Sequence, residues 1–169
     1  IVARLVGLKQ IDHAIGAVGR GKAKRGDITL DLAGTGAERG FLQQRIEDQE
    51  LTRDVRLLGH VNDVTERLAG ASFSLLTSKF EGLGLAIVES MGAGCIPITY
   101  DIKYGPSEII TDGVNGYVVP PGDVQALATR IVEFLSLPAN EKLAMREAAI
   151  ARAEDFLPVP SYSRWKSAL

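Results

Sequence analysis

The stretch SKFEGLGLAIVESMGAGCIPITYDIKYGPSEIITDGVNGYVVPP, from Ser78 to Pro121, decides the fold. The apolar run Phe73–Leu76 just before it predicts a buried strand, and the segment from about Leu85 to Gly92 predicts a helix. A glycine turn between them brings free backbone N–H groups and the positive end of a helix dipole to one point. Such a point attracts phosphate, so the stretch predicts a nucleotide or sugar-phosphate site at Gly82–Gly84.

Composition limits the possible classes of protein. The 169 residues fit one domain, and a hydrophobic fraction of 46% is enough for a sizeable core. The net charge of −2 argues against a large basic surface for nucleic acid. No apolar run approaches the ~20 residues of a membrane span, and the single cysteine, Cys95, cannot form an internal disulfide. We therefore expect a cytoplasmic protein, with any peripheral membrane association supplied by parts outside this chain.

Strand-like and helix-like segments alternate along most of the chain. Strands are predicted at residues 1–5, 27–33, 55–58, 73–76, 96–99 and 116–119, with amphipathic helical segments between them. Because parallel neighbours need a crossover connection, this alternation predicts an α/β fold. We expect a Rossmann-like, doubly wound parallel sheet of about six strands.

The last part of the sequence is helical only. Asp123 is predicted to cap a helix that ends near Leu135, and Asn140 to cap another that ends near Ala153. Trp165 lies in a short segment after them.

Two glutamates flank the glycine turn. Glu81 precedes it and Glu89 lies in the helix after it, so we expect them to address different ends of one ligand. Carboxylates suit hydroxyl groups, as on a ribose or a sugar, because they accept charge-assisted hydrogen bonds. Glu89 is flanked by Ile87, Val88 and Met91, which predicts partial burial and therefore a partner. The alternative is an ordinary solvated helix residue.

Two cations follow the first predicted strand. Arg4 lies at its end and Lys9 lies five residues later. In doubly wound sheets, ligands bind at the carboxyl ends of the strands. Arginine suits bidentate contact with phosphate and lysine acts as a point charge, so the two would serve a diphosphate. The alternative is an exposed surface pair.

Glycine turns also end the second and third predicted strands, at Gly34–Gly36 and Gly59–His60. The first turn, Gly-Thr-Gly, lacks the third glycine of a dinucleotide fingerprint and follows the second strand, which counts against a nicotinamide site. His60 either contacts a base edge or fills its turn.

Over essentially its whole length, the chain resembles the C-terminal, donor-binding domain of retaining GT-B glycosyltransferases, the group 1 family. ARLVGLK resembles the start-of-domain segment, DLAGTGAER the second strand with its glycine turn, and EGLGLAIVE the E-x7-E signature. NGYVVPPGD follows in the same order. TYDIKYGPSEIITDGVNG is similar to a bacterial subgroup that includes poly(glycerol-phosphate) glucosyltransferases and enzymes that modify serine-rich surface proteins.

The resemblance implies a role for each matching residue. Arg4 and Lys9 would grip the donor diphosphate, and Glu81 would reach the hydroxyls of the donor sugar; these three form the predicted catalytic set. Glu89 would bind the ribose, and the remaining binding positions are Gly82, Leu83, Gly84, Gly59, His60 and Gly34.

The resemblance also implies a function. The parent enzyme would transfer a hexose or N-acetylhexosamine from a nucleotide diphosphate sugar, a UDP-sugar, to a glycan, polymer or protein acceptor with retention. It would need no metal or other cofactor, because the family uses cationic side chains and a helix dipole instead. Residues 1–169 would form the donor domain alone, without the N-terminal acceptor-binding domain, which agrees with a chain that begins as a strand. The alternatives are a GT-B-fold sugar-nucleotide epimerase and a non-catalytic nucleotide-binding partner subunit.

Overall fold

A computed structural model of the chain describes residues 1–82, 84–103 and 105–156, in which strands and helices alternate. Leu83 and Trp165, which were named in the predictions, lie outside these residues. The strands are Leu30–Ala33 (β1), Val55–Gly59 (β2), Phe73–Leu76 (β3), Ile96–Tyr100 (β4) and Tyr117–Val119 (β5). The helices are Ile11–Lys22 (α1), Arg39–Asp48 (α2), Val64–Gly70 (α3), Leu85–Gly92 (α4), Pro106–Ile109 (α5), Val124–Ser136 (α6) and Ala139–Glu154 (α7).

All strand pairs found among these residues are parallel. β1 pairs with β2, and β4 lies between β3 and β5. The first residues run beside β1, where Ala3 N–H donates to the carbonyl oxygen of Ala33 at 3.0 Å and Val2 forms a single bridge with Ala33. The predicted α/β class with parallel strands is confirmed. Five of the six predicted strands are present among the described residues, as one two-stranded and one three-stranded group. The first predicted strand, residues 1–5, forms only this isolated bridge.

Helices cover both faces of the central strand. All five residues of β4 are buried, as expected for a strand covered on both sides. Tyr100 faces α1, where its hydroxyl lies 3.0 Å from Nδ1 of His13. Thr99, the preceding residue, lines a small cavity with Ala86 and Ile87 of α4. Because successive side chains of a strand point to opposite faces, α1 and α4 lie on opposite sides of the sheet.

The two predicted helix caps have different outcomes. The Asp123 carboxylate accepts a hydrogen bond from the N–H of Ala126 at 2.8 Å, so this N-cap is confirmed. The prediction for Asn140 is wrong, because α7 already begins at Ala139. Pro138 occupies the N-cap position with an extended backbone, and its carbonyl oxygen accepts the first hydrogen bonds of the helix.

Burial gives Tyr100 a testable pH dependence. Desolvation, together with the negative charges of Asp123 and Asp12, raises the pKa of Tyr100 to about 12. An unfolded tyrosine titrates near pH ~10. The contribution of Tyr100 to stability is therefore complete below about pH 10 and is lost as the pH rises towards 12.

We expect wild type to lose roughly 2 kcal/mol more unfolding free energy than Tyr100→Phe between about pH 10 and 12. Urea unfolding at several pH values would measure this. The variant lacks the hydrogen bond to His13 at every pH, so the comparison is between slopes and not absolute stabilities. Parallel pH profiles would contradict the prediction.

Candidate functional site

Lys9 and Glu81 meet at the carboxyl end of β3, although 72 positions separate them. Lys9 Nζ lies 2.5 Å from Glu81 Oε1, and each side chain is only 17% exposed. Lys9 ends a short 3-10 turn before α1, and Glu81 lies on the loop between β3 and α4. The fold therefore places a cation beside a carboxylate at the edge of the sheet where doubly wound proteins bind ligands.

Two buried hydroxyls at the end of β3 hold this ion pair. Thr77 Oγ1 donates to the carbonyl oxygen of Lys9 at 2.8 Å, and Ser78 Oγ donates to Glu81 Oε1 at 2.5 Å. Thr77 is 2% and Ser78 1% exposed. Neither residue was predicted to have a role. The signal that was available is a pair of hydroxyl residues directly after an apolar strand, at the end where ligands bind.

Backbone contacts join the same two segments. The N–H of Lys79 donates to the carbonyl oxygen of Leu8 at 2.8 Å. Together with the Thr77 hydrogen bond, this contact fixes the turn before α1 against the loop after β3. The lysine and the glutamate are thus held by their backbones as well as by their charges.

The glycine turn gives α4 an open N-terminus. Gly84 is the N-cap, with a φ of 61°. Since glycine has no side chain, it cannot cap the helix with a side-chain hydrogen bond. A Cβ at Gly84 would be strained by this φ and would lie 3.2 Å from Ile109 Cδ1, so glycine suits the position. At Gly82 a Cβ would meet nothing within 4 Å, so its backbone has open space beside it. The first N–H groups of α4 are therefore not satisfied by a side-chain cap, as a site for an anion requires.

Glu89 is exposed, so its predicted partial burial is wrong. The buried residues of α4 are Ile87, Ser90 and Met91. At about 100° per residue, Glu89 lies roughly 200° around the helix from Ile87, so it is not on the face that Ile87 buries. The alternative of a solvated carboxylate describes its environment, and its role towards a ribose stays a prediction.

Arg4 is exposed, and none of the ion pairs found in the described part of the chain includes it. The segment that carries it lies against the turn after β1. A Cβ at Gly34 would come closer to the carbonyl oxygen of Ala3 than the 3.0 Å that real Cβ atoms keep, and one at Gly36 would do the same to Leu5. These two glycines therefore allow the chain around Arg4 to pack on the turn.

The two glycine turns at the ends of β1 and β2 are neighbours. The N–H of Gly34 donates to the carbonyl oxygen of Gly59 at 2.7 Å. Gly59 has a φ of 75°, and a Cβ there would meet no atom within 4 Å. His60 is exposed, and its Nε2 lies 3.0 Å from Oδ1 of Asn62. The structure thus brings Gly34 and Gly59 together and leaves the imidazole at the surface.

Other kinds of site receive little support. Within residues 1–82, 84–103 and 105–156, no helix combines the length and the hydropathy that a membrane crossing needs. The same residues contain no group of three His, Cys, Asp or Glu side chains placed to hold a metal. Cys95 is a free, buried cysteine, and burial raises the pKa of its thiol, which disfavours the reactive thiolate.

Known proteins are similar to this chain in sequence and in fold. The family model of group 1 glycosyl transferases matches residues 1–154. A poly(glycerol-phosphate) alpha-glucosyltransferase of Bacillus subtilis is 30% identical over 169 residues, which are 100% of this chain and 25% of that protein. A UDP-N-acetylglucosamine--peptide N-acetylglucosaminyltransferase GtfA subunit of Streptococcus gordonii is 30% identical over 174 residues, covering 99% of this chain and 34% of that protein.

A solved structure agrees with these relatives. The pneumococcal O-GlcNAc transferase GtfA, crystallised in complex with UDP and GlcNAc, superposes with a TM-score of 0.88 at 29% identity. The match covers 99% of this chain and 34% of GtfA. The chain spans between a quarter and a third of these relatives, and its fold is one Rossmann-like half of the GT-B architecture. The family resemblance found in the motifs is confirmed, and this chain belongs to the group 1 glycosyltransferases.

Proposed function

We propose that this chain is the donor-binding domain of a retaining glycosyltransferase, which transfers a hexose or N-acetylhexosamine from a UDP-sugar. The contact between Lys9 and Glu81 carries the proposal, because it places a cation and a hydroxyl-binding carboxylate 2.5 Å apart beside the N-terminus of α4. A nucleotide diphosphate sugar has the matching groups, a doubly charged diphosphate linked directly to a ring of hydroxyls. The names of the relatives, which include UDP-N-acetylglucosamine and glucosyl transfer, support this donor class.

The donor would lie across the carboxyl ends of the strands. Lys9 and Arg4 bind the diphosphate, and the uncapped first turn of α4 adds the partial positive charge of the helix dipole. Glu81 accepts hydrogen bonds from the sugar hydroxyls. The backbone of the Gly82–Gly84 turn approaches the sugar and its phosphate. The domain thus contacts both sides of the bond that breaks.

The nucleoside would lie towards the other glycine turns. The exposed carboxylate of Glu89 accepts hydrogen bonds from the ribose hydroxyls. Gly59 leaves room for a ligand beside its backbone, Gly34 is joined to it by a hydrogen bond, and His60 borders the base.

The transfer step proceeds on one face of the sugar. The bond between the anomeric carbon and the diphosphate oxygen breaks, and its electron pair leaves with UDP. The acceptor hydroxyl oxygen bonds to the same face of that carbon, and its proton passes to the departing phosphate oxygen. Lys9, Arg4 and the α4 N-terminus stabilise the negative charge that develops on the diphosphate.

An acceptor-binding domain would complete the site from outside these residues. Three large apolar side chains next to the site are exposed: Leu8 by 43%, Phe80 by 55% and Leu85 by 62%. They are sequence neighbours of Lys9, Glu81 and Gly84. Such an apolar rim suits a face that another domain covers. We propose that the acceptor is a glycan, a polymer or a protein. We also propose that the reaction occurs in the cytoplasm, because its reducing conditions suit a single unpaired cysteine.

Calorimetry with the 169-residue chain tests the donor class. We expect weak but measurable binding of UDP, UDP-glucose and UDP-N-acetylglucosamine, and no acceptor transfer by this chain alone. Binding of none of them would overturn the proposal. If the longer enzyme converts one UDP-sugar into its epimer without an acceptor, the epimerase alternative holds. If it binds donors but neither transfers nor epimerises, the non-catalytic alternative holds.

The role of Glu89 has its own test. We expect Glu89→Ala to weaken UDP binding by about 10-fold, because a carboxylate lost from two ribose hydroxyls removes charge-assisted hydrogen bonds. Wild type should likewise bind the 2′,3′-dideoxyribose analogue of UDP about 10-fold less tightly than UDP.

The Glu89→Ala variant should bind UDP and its dideoxyribose analogue with equal affinity. Glu147→Ala, which removes an exposed glutamate from α7, is the matched control and should bind as wild type does. A Glu89→Ala variant that still prefers UDP to the dideoxy analogue would rule out the ribose contact.

A further inference from the structure

Glu81 is held through one of its two oxygens. Lys9 Nζ and Ser78 Oγ both donate to Oε1, each at 2.5 Å, so Oε2 carries neither hydrogen bond. Ser78 is 1% exposed and lies two residues after β3, whose parallel pairing with β4 ends at Leu76 and Thr99. A carboxylate anchored in this way presents its second oxygen in one fixed direction.

The two donors differ in how firmly they hold the carboxylate. Lysine carries its charge on a flexible four-carbon stem. Serine has a single rotatable bond before its hydroxyl, and burial at the end of a strand restricts that bond further. The serine therefore sets the direction of the carboxylate, while the lysine supplies the positive charge.

The difference matters when a donor is bound. In the proposed function, the diphosphate attracts Lys9, so the lysine is shared between two anions. The hydroxyl of Ser78 carries no charge and stays with Glu81. We infer that Ser78 is a positioning residue, which fixes the carboxylate of Glu81 so that Oε2 faces the hydroxyls of the donor sugar. This inference rests on the proposed function.

A purely local role is the competing explanation, since Ser78 and Glu81 are only three residues apart and their hydrogen bond also closes the loop. In that case Ser78→Ala would lower stability and weaken every ligand equally. A positioning role instead affects only ligands that carry the sugar. The ratio of the affinities for UDP-N-acetylglucosamine and UDP separates the two explanations.

Calorimetry with the 169-residue chain measures this ratio. We expect Ser78→Ala to shift it about 10-fold against the sugar nucleotide while UDP affinity stays within about 2-fold of wild type. Ser78→Cys, which replaces the hydroxyl by a weak S–H donor, should shift the ratio in the same direction as Ser78→Ala. Ser90→Ala is the matched control, because Ser90 is a fully buried serine whose hydroxyl donates to the carbonyl oxygen of Cys95 at 3.0 Å. It should lower the thermal midpoint and leave the ratio unchanged.

A second background shows whether Ser78 acts through Glu81. In Glu81→Ala the sugar contact is already lost, so adding Ser78→Ala should change the ratio no further. A wild-type ratio in Ser78→Ala, or an equal shift in the Glu81→Ala background, would overturn the positioning role and leave the donor site intact. If wild type binds neither UDP nor UDP-N-acetylglucosamine, the proposed function itself fails, and the role of Ser78 fails with it.

Discussion

We expect Lys9→Ala to lower the turnover of the longer enzyme by at least ~10²-fold, which is the scale of losing one preorganised electrostatic contact. The lysine is mostly buried and already placed at the ligand edge of the sheet, so its charge needs no rearrangement when the diphosphate leaves. Thr77 binds the backbone oxygen of residue 9 and not its side chain, so the loop should keep its position in the variant. The loss therefore reports on the charge itself.

Two further variants provide a second test and a control for the Lys9→Ala result. Glu81→Ala should cost at least as much, ~10²-fold, because it removes the sugar contact and leaves the ammonium without its counter-ion. Lys24→Ala removes the same charge from an exposed position after α1 and should retain wild-type turnover. Steady-state kinetics with a UDP-sugar donor would measure all three. Wild-type rates in both Lys9→Ala and Glu81→Ala would overturn the donor-site assignment.

Gly34→Ala should cost the domain at least about 3 kcal/mol of unfolding free energy. Gly34 has a φ of 147°, a region that residues with a side chain rarely adopt, and an added Cβ would overlap the carbonyl oxygen of Ala3. Backbone cannot move aside as a flexible side chain does, so the segment that carries Arg4 must be displaced. Urea unfolding followed by circular dichroism would measure the loss, and UDP binding should weaken with it.

Gly40→Ala is the matched control for this substitution. Gly40 lies exposed in α2, and a Cβ there would meet no atom within 4 Å. Its stability should be unchanged or raised by up to about 1 kcal/mol, because alanine favours the helix. Equal stabilities for the Gly34 and Gly40 variants would show that the turn after β1 tolerates a side chain, which would contradict the packing described above.

Local sequence signals predicted the elements that frame the site. The predicted bounds of α4 and β3 were confirmed. Gly84 lies just before α4 and Gly92 ends it, and Phe73–Leu76 is a mainly apolar run. The exposure of Glu89 was missed for a geometric reason. Adjacent apolar residues do not share its face of the helix, since only positions three or four apart lie together.

Contacts between segments that are distant in the sequence could not be predicted from local signals. The motifs indicated that Lys9 and Glu81 belong to one site, but not that their side chains touch. The direction of each side chain depends on the register of β3 and on the turn before α1, which only the fold determines. Thr77 and Ser78 were missed for the same reason. A hydroxyl residue after a strand is common, and its partner shows only in three dimensions.

The hydrogen bonds from Thr77 to Lys9 and from Lys79 to Leu8 join the two segments of the proposed donor site into a single preassembled unit. Opening and closing of an acceptor domain over it would change access without separating the cation from the carboxylate. The donor domain would then determine the sugar, and the acceptor domain would independently determine the acceptor. We expect this domain, grafted onto the acceptor half of another group 1 enzyme, to bring its own sugar donor with it and to accept whatever polymer or protein the new half presents.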